Sequence, residues 1–278
     1  MLAALRSVRW WFVLLAVPAV LVLTWDAYWV IRQFINLVVA YDGGAVDWHV
    51  LAAATSAPDP YSVESFRWSP VAWWALHAII PLGLTAWRLA QLAAVMTLRD
   101  WKVIVIVLLS APFWMDVTSG QAITFVAVVA WHAVSGSRIG TWLFLALSLL
   151  MPRPLMLPVL IWLLWKRPEL RRGFVLLVIV HTLAVLASGL GPDWIARLLE
   201  SGTEVQHVNN LAPSRWIGLA WAPIGLALAA WLTVRGRLGL ASLAASPYLF
   251  PYYLLMGILD FVPRRLVEAR SSAPAATE

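Results

Sequence analysis

Three kinds of residue in this chain could do chemistry, and they sit in short polar stretches between long apolar ones. The first kind is acidic: Asp42, Asp47, Asp59 and Glu64 fall within forty residues of an early polar segment. A carboxylate at a wet boundary can serve as a general base, taking a proton from an attacking hydroxyl. Asp47 is the candidate for that role, with a solvated loop acid as the alternative. Asp59, beside Tyr61, and Glu64 read as solvated or capping residues. The second kind is arginine away from the basic clusters. Arg153 stands in Pro152-Arg153-Pro154, Arg67 precedes Trp68, and Arg215 precedes a late apolar run. A guanidinium forks two donors onto a pair of phosphate oxygens, so these are candidates to hold a phosphate. The alternative is snorkelling to headgroups or pairing with an acid. The third is a polar run from Glu204 to Arg215, which contains His207, Asn209, Asn210 and Ser214. It suits sugar hydroxyls and a phosphate, or is simply a soluble loop. In a smaller turn, Ser119-Gly120-Gln121, Gln121 either bonds a ligand or caps the next helix.

Other chemistries are not offered. The chain has no cysteine, so thiolate catalysis, disulfides and iron–sulfur sites are excluded. No phosphate-cradling glycine loop, Walker lysine or serine nucleophile elbow is present. Histidines 49, 77, 132, 181 and 207 show no i, i+4 pair and no zinc-like spacing. His77, His132 and His181 lie in apolar runs and read as hydrogen-bonded structural residues. No metal and no cofactor is expected.

The elements that must position these residues are set by composition. Of 278 residues, 62% are hydrophobic and 12% are charged. Soluble domains carry about 25% charged and 45–50% apolar residues. That excludes a soluble globular enzyme, a disordered protein and a nucleic-acid-binding domain, the high pI notwithstanding, because the basic residues are not pooled. The apolar runs are continuous, not ten-residue alternations, which predicts an all-α polytopic transmembrane bundle instead of a barrel. Candidate spans are 10–26, 68–98, 103–117, 121–136, 139–151, 154–165, 173–189, 216–234, 238–246 and 248–262. Pro81 and Gly83 interrupt 68–98, so the expected number of segments is eight to eleven. Several runs fall short of the ~20 residues that cross a hydrocarbon core; these must be half-crossing or shielded within the bundle. Tryptophans such as Trp101, Trp165 and Trp216 sit near run ends, as expected at a membrane boundary.

Residues 1–270 are expected to form one transmembrane domain, with outer segments 27–67 and 190–215, and 271–278 a disordered tail. Helix-like stretches within the outer segments, Val46 to Ala54 and Asp193 to Glu200, would lie along the interface. Fourteen of the 20 basic residues fall in clusters at 6/9, 99/102, 138, 166–172, 235/237 and 264–270. Placing these in the cytoplasm puts both termini inside and leaves Asp47, Arg67, Arg153 and the Glu204–Arg215 run outside. A multi-pass protein of the bacterial inner membrane is the implied location.

Taken in order, these residues resemble the GT-C membrane glycosyltransferases, and in particular glycosyltransferase family 87, which includes mannosyltransferases that use polyprenyl-phosphate mannose. The resemblance spans about residues 10 to 262. Its motifs are Asp47, Asp59-Pro60-Tyr61, Trp68-Ser69-Pro70, Gly120-Gln121, Arg153-Pro154 and, loosely, His207 to Arg215. The chain departs from the family pattern at Ala57-Pro58, where a glycine precedes Asp-Pro-Tyr, and at Ala122-Ile123-Thr124, where an asparagine follows Gly-Gln. Arg153 replaces a lysine, and the chain is short. The resemblance implies transfer of a hexose such as mannose from a polyprenyl-phosphate donor to a lipid or glycan acceptor at the extracytoplasmic face. Asp47 would be the base and Arg153 would hold the lipid phosphate, with His207 or Arg215 assisting; Arg67, Gln121, Asn209 and Asn210 are further donor-binding candidates. Attack opposite a β-linked phosphate would invert the anomeric centre. The chain has no Asp-x-Asp motif, which disfavours a metal-bound nucleotide sugar. The competing expectation is a non-catalytic lipid or lipid-linked-sugar transporter or accessory scaffold.

Overall fold

Prolines and glycines cut the apolar runs into helices, and the charged residues inside the bundle close the helix ends. The computed structural model describes residues 10–38, 45–200 and 210–262, all helical or connecting, with no strand among them. The helices are α1 (Trp10–Val38), α2 (Val46–Ser56), α3 (Pro70–Ile79), α4 (Gly83–Met96), α5 (Trp101–Leu108), α6 (Ala111–Ser119) and α7 (Ile123–Val134). They continue with α8 (Arg138–Leu150), α9 (Leu157–Lys166), α10 (Leu170–Ser188) and α11 (Gly191–Glu200). A short turn, Ser214–Ile217, leads to α12 (Trp221–Val234), α13 (Leu238–Ala245) and a 3₁₀ segment, Pro251–Phe261.

Among the described residues, three stretches are long and apolar enough to cross a membrane: Pro70–Met96, Leu170–Ser188 and Ser214–Val234. A fourth arises if α5 and α6, bent by 65° at their junction, form one broken span. The count is smaller than the eight to eleven segments expected because several apolar runs fold as helices of 8 to 13 residues. The best example of a shielded short helix is α7. Nine of its twelve residues are buried, against α8, α4 and the 3₁₀ segment. In contrast α10 leaves Val175, Leu176, Ile179, Val180 and Leu183 exposed. A helix apolar on its outer faces is suited to hydrocarbon, not to water. Trp101, Trp165 and Trp216 are exposed.

One of the two outer segments departs from expectation in part. The one set at 27–67 is helical at its start, since α1 continues through Val38. The helix-like stretches within 27–67 and 190–215 do form, as α2 and α11. The tail 271–278 lies outside the described residues.

Helix ends leave backbone groups without partners, and in an apolar bundle each must be satisfied internally. Asp26 on α1 accepts a hydrogen bond from Ala111 N at 2.7 Å and so starts α6. Asp116 starts α7, taking Ile123 N at 3.3 Å and Thr124 N at 2.8 Å. Asp260 starts α13 through Gly239 N and Leu240 N. At the opposite ends, Arg88 donates to Val117 O and Thr118 O at the end of α6, and Arg167 donates to Ala133 O at the end of α7. Acids at N-termini and guanidiniums at C-termini also complement the helix dipoles.

Candidate functional site

Among the described residues the bundle forms a large, partly open cavity of about 750 Å³. Four of the polar residues singled out above line it: Asp47, Arg67, Gln121 and Arg153. They come from segments separated by up to a hundred residues, so tertiary packing alone joins them.

Asp47 lies in the first turn of α2, where the helix dipole favours a carboxylate. It is the one acidic residue lining the cavity among the described residues. Trp48, Leu51 and Ala54 are the buried residues of α2, and Leu51, one turn on from Asp47, lines the cavity with it. Trp48 rests on the α6–α7 turn, where Gly120 adopts the left-handed conformation at φ 78°. A Cβ there would stand 2.6 Å from Trp48 Cβ. Glycine at 120 thus serves twice, by closing α6 and by letting α2 dock against it. The turn is held from below: Gln91 Nε2 donates to Gln121 O at 2.7 Å and to Asp116 Oδ2 at 2.9 Å, and Trp87 Nε1 also reaches Gln121 O. Gln121 caps no helix; its side chain turns into the cavity, while Asp116 caps α7. Gly120→Ala is expected to destabilise the protein by about 1–3 kcal/mol, through strain and displacement of Trp48. Thermal unfolding in detergent would show a lowered midpoint; an unchanged midpoint would rule out this docking.

Arg153 follows α8. Ser69 N donates to Leu150 O at 2.8 Å and ties this turn to the start of α3. The Arg153 guanidinium donates to the Tyr253 hydroxyl and, at 3.4 Å, to Gln121 Oε1, and lies 5.6 Å from the Tyr253 ring centroid. Burial opposes its charge, but Tyr253, Tyr248, Tyr252 and Asp47 outweigh that and raise its pKa further, so it is a permanent cation. The same interaction places the Asp47 carboxylate within electrostatic reach of Arg153.

Apart from Ser65, Ser119 and Ser148, the rest of the polar lining is aromatic. Tyr248, Phe250, Tyr252 and Tyr253 form one wall. The expected span 248–262 concealed this wall, because its tyrosines count as apolar. The readable signal is three of the chain's six tyrosines within six residues, with Pro247 before them and Pro251 among them. Asn210 holds the wall in place. Fully buried, it accepts from Leu249 N at 2.7 Å and Ala212 N at 2.9 Å, and donates to Ser214 Oγ at 3.1 Å. Ser214 in turn donates to Pro247 O. Asn210 is therefore a structural clamp and not a donor-binding residue, a correction to the expectation for the polar run. Asn210→Ala would leave buried amides unpaired and is expected to cost about 2–4 kcal/mol; a melting midpoint equal to the wild type would refute the clamp.

No protein-family model, no curated protein and no solved structure matches this chain. What the site can do rests on its own residues.

The remaining candidates lie elsewhere. Arg215 is exposed, near Trp216, and does not line the cavity; the turn Ser214–Ile217 directs it outward. Asp59 caps the 3₁₀ turn Pro60–Ser62 by accepting from Tyr61 N at 2.9 Å. Tyr61 is buried and donates to Trp68 O at 2.9 Å. Burial first, then Asp59 and Asp193, push its pKa up, so it stays a donor. Both are structural and stand apart from the cavity lining. His77, His132 and His181 also lie outside it, and His132 Nε2 pairs with Thr97 Oγ1 at 2.9 Å. His207 and Asn209 lie outside the described residues. No cluster of metal-ligating residues occurs among the described residues.

The arrangement supplies a carboxylate, a fixed cation with a second arginine in the same lining, an amide and an aromatic wall. Val46, Leu157 and Leu219, all exposed and apolar, also line the cavity. A ligand with a polar, anionic head and a greasy tail fits that lining.

Proposed function

We propose that this chain is a membrane glycosyltransferase of the GT-C kind, which moves a hexose such as mannose from a polyprenyl-phosphate donor to a lipid or glycan hydroxyl. The observation that carries this reading is the meeting of Asp47 with Arg153, Arg67 and Gln121 around one cavity edged by apolar side chains. The acceptor hydroxyl loses its proton to the Asp47 carboxylate as its oxygen bonds the anomeric carbon. The bond from that carbon to the phosphate oxygen breaks, and its electron pair leaves on the lipid phosphate. Arg153, oriented by Tyr253 and Gln121, stabilises the developing charge. Arg67 takes the assisting role that Arg215 does not fill. The site would face the extracytoplasmic side of the bacterial inner membrane, with both termini cytoplasmic.

The test is a transfer assay in proteoliposomes with a panel of polyprenyl-phosphate hexoses, following release of free polyprenyl phosphate. Release coupled to glycosylation of an added acceptor supports the reading. Binding of the donor without release would instead indicate the non-catalytic carrier.

A further inference from the structure

The aromatic wall has an internal order that lining a cavity does not require. The Phe250 and Tyr252 rings are nearly parallel, tilted by 17° with centroids 5.6 Å apart. Both are half-buried, whereas Tyr248 and Tyr253 behind them are buried. Tyr253 stands edge-on to both, at 90° to Phe250 and 72° to Tyr252. That contact braces the pair, and the clamp from Asn210 to Leu249 fixes the backbone that carries it. The result is a braced aromatic stack whose outer face loses little freedom on binding.

Beside this surface lies an amide whose bonds are slack. Gln121 Nε2 donates to the Tyr252 hydroxyl at 3.5 Å, and its Oε1 accepts from Arg153 at 3.4 Å. Both are longer than the 2.7–3.2 Å of a good hydrogen bond. A ligand hydroxyl entering between them can replace long bonds with short ones.

We propose that Phe250 and Tyr252 form a subsite for one face of a pyranose ring, with Gln121 bonding a ring hydroxyl and Arg153 holding the attached phosphate. The inference rests on the donor-site reading above and assigns the residues that hold the sugar of the donor. A pyranose has a face of C–H groups whose partial positive charge suits the negative face of an aromatic ring. Its hydroxyls lie at the edge, where the amide is. An isoprenoid chain uses neither the amide nor the flatness of the wall.

The experiment is calorimetric binding of two probes, farnesyl phosphate and farnesyl-phosphoryl mannose, to purified protein in detergent. Wild type should bind the glycosylated probe more tightly. Phe250→Leu should weaken that probe about fivefold to tenfold and leave farnesyl phosphate unchanged. Tyr252→Leu should repeat the pattern, and so keeps the test intact if the first variant misfolds. Arg153→Gln should weaken both probes. Equal effects of the two leucine variants on both probes, or no effect on either, overturn the subsite but leave the donor-site reading standing. If wild type binds neither probe, the donor-site reading falls and the subsite with it.

Discussion

Asp47→Asn should reduce glycosyl transfer by at least about a hundredfold, within the 10²–10⁴ range that positioned acid–base groups contribute. The substitution keeps the size of the side chain and removes only its basicity and charge. Among the described residues the cavity holds two arginines and one carboxylate, so loss of that carboxylate makes it more positive. A phosphate donor should then bind no more weakly than before. The expected signature is a fall in kcat with no rise in KM for the donor. Stability should change little, since the dipole of α2 loses an interaction worth about 0.3–1 kcal/mol. Steady-state release of polyprenyl phosphate, with a melting curve on the same preparation, reads all three quantities. Turnover retained by Asp47→Asn would remove it from the reaction.

Arg153→Gln should lower kcat by about 10²–10³, as found when a preorganised donor to developing charge is lost. Unlike Asp47→Asn, it should also weaken donor binding, because the guanidinium bears on the phosphate before and after bond cleavage. Arg153→Lys should recover only part of the loss. An ammonium supplies charge but cannot fork onto two phosphate oxygens, nor contact Tyr253 and Gln121 at once. The order wild type, Lys, Gln in both kcat and probe affinity is the outcome that supports a phosphate clamp. Equal affinity of wild type and Arg153→Gln for a short isoprenyl phosphate would exclude it.

How far these residues were legible from sequence depends on what each needed. Asp47, Arg67, Gln121 and Arg153 were readable as exceptions, polar groups in a chain with few of them, and all four line the cavity. Asn210 and Arg215 belonged to the same kind of exception and proved different. Asn210 spends its side chain on backbone amides and on Ser214, and Arg215 faces out. Polarity marks a residue as needing a partner; it does not say whether that partner is a ligand or the chain itself. Asp116 shows the converse. It sits in an apolar run and drew no notice, yet it caps α7 and supports the turn that carries Gln121. Its partners are seven and eight residues ahead across a tight turn, a spacing with no helical or strand period to reveal it. Arg88 and Arg167 were likewise invisible as helix C-caps.

By itself the sequence determined that the chain is helical, apolar and poor in charge, and which few residues stood out against that background. Those properties follow from local periodicity and composition, which need no knowledge of neighbours. Tertiary structure decided the rest. It buried α7 and left α10 exposed, though both read as apolar runs. It assigned most of the described aspartates to helix ends and brought Asp47 into a cavity with Arg153. It also turned Pro247–Tyr253 from part of an apolar run into a wall of that cavity. The physical reason is that a backbone amide in an apolar bundle must find a partner within the protein. Which side chain answers is settled by proximity in space, and proximity is the one property a linear pattern does not contain.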